Sequence, residues 1–283
     1  MFSAPSCFAL QPDEKLEHGF ARVLGQIAMQ ALRLRRHAHG TVAKSIHGTR
    51  ILIKYLRALL CFTQPTFSPS EIHRAKSDLR RAAHLLSAQR ELVVMRSTLK
   101  RLSRKTADSE YRKALTRMDN GQQSRQAITE KPEQSLQRAI AILLSTIQRF
   151  KRVAKTKSRW PSCFDKLAQA FQDVKTSGKR AVKSEDAARC HDWRKRAKRL
   201  LYQLQLTQAV PGRRMRRAIK RVDKLQKMLG DHQDCVIAQE RLRKNPPTDV
   251  PPLFVRRTLA LLEARKTRLR KRARGTASRI RLW

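Results

Sequence analysis

Two stretches of this chain, 144 residues apart, carry the same arrangement of ionisable side chains. Residues 45–57 read Ser-Ile-His-Gly-Thr-Arg-Ile-Leu-Ile-Lys-Tyr-Leu-Arg, placing His47, Arg50, Lys54 and Arg57 at offsets of 0, 3, 7 and 10. At about 100° per residue these offsets fall within an arc of roughly 80°, so the four side chains share one helix face. Residues 190–202 repeat the pattern with His191, Arg194 and Lys198 at 0, 3 and 7, and with Lys195, Arg199 and Tyr202 beside them. A second mark follows in each half. Leu86 to Glu91 aligns with Leu229 to Asp234 at a separation of 143. Two marks in one order at nearly one offset point to duplicated halves, each a bundle of about four long helices.

The rest of the pattern is helical as well. Glycine is scarce, at 9 of 283 residues, and no run alternates as a strand does. The first helix is predicted from Asp13 to His39, where Gly40 stops it, and the second from about Thr41 to before Pro65. Pro69 and Ser70 open a third, and a fourth runs through Leu92, Met95, Leu99 and Leu102. Residues 103–131 are polar and weakly periodic, so they read as a partly helical connection. Beyond them, helices are predicted from Pro132 to about Lys157 and from Pro161 to near Gly178. Ser184 and Asp186 offer a cap for the helix bearing His191, which ends at Pro211 and Gly212. Gly230 is predicted to break the next helix, Arg213 to Leu229, and a short one follows from Asp231 to about Lys244. The prolines between 246 and 252 form a linker to a last helix, Leu253 to about Arg274. The divisions are therefore a 1–12 tail, a first half 13–131, a second half 132–275 and a basic 276–283 tail.

Charge narrows the function. With 64 Lys and Arg against 22 Asp and Glu, the formal charge is +42. A compact chain with that surplus repels itself unless an anionic partner neutralises it. Nucleic acid, an acidic membrane surface and a polyphosphate-like polymer all satisfy this. Aromatics at 5% weigh against a single-strand reader built on stacking. The five cysteines lack any C-x-x-C and read as reduced packing residues. The N-terminus is unlike a signal peptide and no apolar run approaches about 18 residues, so a soluble cytoplasmic protein is expected. No phosphate-cradling glycine loop, nucleophile elbow or acidic metal cage is visible, and Asp231, His232, Asp234 and Cys235 lack metal-ligand spacing. No cofactor and no metal is expected, and enzymatic activity is not.

The duplicated His-x-x-Arg-x-x-x-(Arg/Lys)-x-x-Arg pattern resembles the CHAD domain, the conserved-histidine α-helical domain. His47, Arg50, Lys54 and Arg57 fit it in the first half; His191, Arg194, Lys198, Arg199 and Tyr202 fit a variant in the second. Leu229, Gly230 and Asp234 resemble that family's second-half signature, with Arg90-Glu91 as the first-half counterpart. Tyr55, Leu201 and Ser87 depart from the pattern. The resemblance implies an all-α protein of two pseudo-symmetric four-helix bundles around a basic central channel that binds inorganic polyphosphate. The binding set it suggests is His47, Arg50, Lys54, Arg57, Arg90, His191, Arg194, Lys195, Lys198, Arg199 and Lys224. Arg80, Arg81, Lys220, Arg221 and Lys227 lie on adjoining helices, where a solvated face is an equal reading. Glu91 and Asp234 are expected to cap helices or orient cations. Association with polyphosphate granules would extend this function. A nucleic-acid-binding or architectural protein is the second reading, and a polyphosphate hydrolase the third.

Overall fold

Short-range signals start most of the helices where the sequence places them. The computed structural model describes residues 8–36, 41–62, 67–124, 131–153, 160–184, 186–209 and 212–281. Within them lie α1 (Leu16–Arg35), α2 (Val42–Phe62), α3 (Pro69–Leu85), α4 (Ala88–Ser103) and α5 (Ser109–Ser124). These are followed by α6 (Pro132–Val153), α7 (Trp160–Lys183), α8 (Ala187–Leu206), α9 (Arg213–Lys244) and α10 (Pro252–Ala277). The described residues contain no strand, as an all-α reading requires. At α3, the Ser68 hydroxyl accepts from the Glu71 N–H at 3.2 Å, and the Glu71 carboxylate accepts from the Ser68 N–H at 2.9 Å. At α8, Asp186 accepts from the Ala188 N–H at 2.8 Å, which sets His191 in the second turn.

At three places the helices differ from the sequence expectation because packing outweighs local preference. The 103–131 segment holds a full helix, α5, whose Tyr111, Ala114, Leu115 and Met118 are buried at helical spacing. Its polar majority is simply the outer face. Gly178 does not end α7; a Cβ there would lie 2.9 Å from the Trp193 ring, so the missing side chain admits the indole. Gly230 does not break α9, which runs 32 residues through it. Leu225, Met228, Leu229, His232, Cys235 and Val236 continue one buried stripe across the glycine. That stripe outweighs the roughly 1 kcal/mol that an interior glycine costs. Asp234 consequently sits within α9 and caps no helix end.

Packing does not follow chain order. The first core joins α1, α2 and α3 with α6, and Cys163 of α7 and Leu206 of α8 reach into it. The second joins α7, α8, α9 and α10 with α4 and α5. The two cores thus cut across the sequence halves 13–131 and 132–275. The presumed tails are also anchored. Phe8 and Leu10 are buried in the first core, and the Leu10 N–H donates to the Leu206 carbonyl at 2.7 Å. Ile280 is buried in the second core.

Candidate functional site

The helices bearing the repeated motif, α2 and α8, pack against one another. Tyr55 and Tyr202 meet edge to face, with centroids 4.7 Å apart, and the Tyr55 hydroxyl donates to Gln205 Oε1 at 2.8 Å. Phe8 also meets Tyr55 edge to face, with centroids 5.0 Å apart. Tyr55, one of the departures from the repeated pattern, is therefore a fully buried partner in an aromatic contact between the two halves, with Tyr202 partly buried against it. Burial pushes the Tyr202 hydroxyl up to about 12, with Asp223 adding to the rise and Arg194 opposing it. Tyr202 acts in packing, as does Trp193, which is fully buried in the second core.

Cations from both halves gather beside this contact. His47 is exposed, yet the cover it has lowers its pKa, and Lys54, Lys198 and Arg50 lower it further. Lys198 comes from α8 and the other two from α2, so these helices share one electrostatic environment. The Lys54 ammonium lies 6.0 Å from the centre of the Tyr202 ring, a cation–π distance. Arg50 is tied down: Nη1 donates to the carbonyls of Ala83 at 3.1 Å and Leu86 at 2.8 Å, satisfying the end of α3. Arg57 lies farther along α2, where burial first and Arg80 of α3 second lower its pKa.

The second-half residues are held differently. His191 Nδ1 donates to Gln233 Oε1 of α9 at 2.8 Å. Arg194 is only 7% exposed, and its Nε lies 3.8 Å from where a Cβ on Gly230 would stand. Arg199 points toward Asp173 of α7, at 4.0 Å, and acts on Cys61 at the end of α2. Lys195 and Lys224 are exposed on α8 and α9. Arg90 lies on α4, and its side chain falls outside the described residues, as does that of Glu91. Among the other basic residues, Arg81 pairs with Asp78 at 3.2 Å and Lys227 with Asp223 at 2.6 Å, while Arg221 donates to the Arg279 carbonyl. Asp231 bridges Arg101 of α4 and Arg265 of α10, at 3.1 and 3.2 Å, so its charge ties helices together.

Fold and face together define an all-helical protein with a cationic seam where two helical cores meet. The chain belongs to the CHAD domain family, whose model matches residues 19–243. Its structure is similar to the crystal structure of the CHAD domain from the plant Ricinus communis, with a TM-score of 0.67. The two are 19% identical, and the match covers 98% of this chain and 96% of that one. Among curated proteins, none matches this sequence. No helix among the described residues is long and apolar enough to cross a membrane.

Proposed function

We propose that this protein binds inorganic polyphosphate along the seam between α2 and α8 and catalyses no reaction on it. The observation that carries this reading is the convergence of His47, Arg50 and Lys54 from one half with Lys198 from the other. Like charges held together by the packing of Tyr55 on Tyr202 repel one another until a polyanion joins them. Lysine supplies point charges to successive phosphates and arginine a planar fork, while His47 gains a proton beside an anion. Membership of the CHAD family supports polyphosphate over other polyanions, and an association with polyphosphate granules follows from the same chemistry. Nearby carboxylates are occupied as counter-charges: Asp173 by Arg196 at 3.3 Å, Asp192 by Arg196 at 2.8 Å and Asp223 by Lys227. None is thereby poised to hold the divalent ion that phosphoanhydride hydrolysis draws on.

Titration calorimetry with long-chain polyphosphate across a salt series tests the proposal. Affinity should fall steeply with salt as bound counterions are exchanged, and long chains should bind more tightly than tripolyphosphate. The Lys54→Ala/Lys198→Ala variant should lose about tenfold in affinity and show a shallower salt slope by roughly two contacts. Binding neutralises the cations that depress His47, so its pKa rises and a proton is taken up. Affinity should therefore strengthen as pH falls toward His47's lowered pKa, and His47→Ala should flatten that trend. Equal affinity for duplex DNA and long polyphosphate would favour the nucleic-acid reading instead. Phosphate release in the presence of magnesium or manganese would establish a hydrolase.

A further inference from the structure

Cations also gather at the far end of α2, and two of them, Lys76 and Lys166, lie outside the repeated motif. His47 and Cys61 are 14 residues apart on α2, about 21 Å at 1.5 Å per residue. Three of the helices that pack on α2 are α3, α7 and α8. Each contributes a cation. Lys76 of α3, Lys166 of α7 and Arg199 of α8 all act on Cys61. Arg80 stands one turn beyond Lys76, its Nε donating to the Lys76 carbonyl at 3.2 Å, and it acts in turn on Arg57. Lys166 lies two turns before Asp173, the residue through which α7 faces Arg196 and Arg199 of α8. Arg57 Nη2 is buried and has no hydrogen-bond partner among the described residues, so a charged donor stands ready at the bottom of this group. Asp173, a carboxylate at the border of the group, already has its charge met by two arginines.

We propose that the polyphosphate track runs from the His47 face past Cys61, with Lys76 and Lys166 joining Arg57, Arg80 and Arg199 as its second half. The proposal rests on the polyphosphate reading above and adds to it a direction, an exit between α3 and α7, and two ligand-contacting lysines. A chain long enough to pass Cys61 engages both groups of cations at once, which gives long polyphosphate an advantage that tripolyphosphate lacks.

The Lys76→Ala/Lys166→Ala variant tests this beside Lys271→Ala/Arg272→Ala, which removes the same charge from the exposed face of α10. The first should weaken long-chain binding by about tenfold and the second by far less. Thermal unfolding checks that both remain folded. An independent readout uses Cys61, which is partly exposed, whereas Cys163, Cys190 and Cys235 are buried. Alkylation of Cys61 by iodoacetamide, followed on its own peptide by mass spectrometry, should slow several-fold under saturating long polyphosphate. Affinity in the lysine variant no lower than in the α10 control overturns the extension, and so does an unchanged Cys61 rate. Either result leaves the seam itself intact if the Lys54→Ala/Lys198→Ala variant still loses binding. Failure of the unaltered protein to bind polyphosphate overturns both proposals.

Discussion

The two copies of the histidine-led motif start from nearly one sequence pattern and end in different physical states. On α2, His47 is exposed among cations and Arg50 is partly exposed, with one nitrogen holding the end of α3. On α8, His191 is half-buried and bonded to Gln233, and Arg194 is buried beside Gly230. The first copy is the more open to solvent; the second is built further into its own core. The repeated motif presents the same side chains twice, but the neighbours decide how much of each remains available. Here α9 runs unbroken past α8 and covers the second copy, whereas α3 ends opposite α2 and leaves its carbonyls to Arg50.

That contrast can be broken by substitution, beginning with the largest effect. Arg194→Ala empties a large buried volume and should cost about 4 kcal/mol in urea unfolding. A cost under about 1 kcal/mol would place Arg194 with the open residues and erase the distinction.

The buried character of the second core should next appear in its pH dependence. His232 on α9 has its pKa pushed down to about 4, first by burial and then by Lys266 and Arg270, with Glu263 opposing them. Its ordinary value in the unfolded chain is about 6.5, so the unfolded state takes up the proton first as pH falls. The stabilising difference is whole above pH 6.5 and is lost between there and about pH 4, a change of about 3 kcal/mol. His232→Asn should flatten the stability profile across that window, and a profile that keeps its slope would assign the loss to other groups.

Arg50→Ala comes third. It removes two charge-assisted bonds to the end of α3 and should cost about 2 kcal/mol, half the effect of its repeat counterpart. Hydrogen exchange should locate the loosening in the last turn of α3 and the residues that follow.

The smallest effects concern two glycines of the second core. Gly178→Ala drives a Cβ into the rigid Trp193 indole and should destabilise by about 1 kcal/mol after the gain in helix propensity. Gly230→Ala meets only Arg194 Nε, at the ordinary contact distance of 3.8 Å, and should stabilise by up to about 1 kcal/mol. Thermal midpoints moving in the same direction for both would show that packing against Trp193 does not hold Gly178 in place.

Much of the candidate site is legible in the sequence. His47, Arg50, Lys54 and Lys198 were readable from offsets along a helix, and these are residues that the fold brings into one electrostatic environment. Other features were not. Lys76 and Lys166 belong to no repeat and stand 90 residues apart, so nothing in their local sequence connects them. Tyr55 looked like a departure from the pattern, and its place in the contact between α2 and α8 appears only when both helices are present. Gly178 and Gly230 read as helix ends because glycine's local cost is visible in a sequence, while the indole or buried stripe that outweighs it is not.

The sequence alone determined the all-helical class, several helix starts through Pro69, Pro132 and Asp186, the repeated motif, and its cationic face. Each of these depends on residues within a turn or two of one another, or on a literal repeat. Tertiary structure decided that α6 joins the first core and α4 and α5 the second, and that α2 meets α8. One apolar helix face is chemically much like another, so periodicity states that a face must be buried without stating against which partner. The shape and volume of the assembled side chains make that choice.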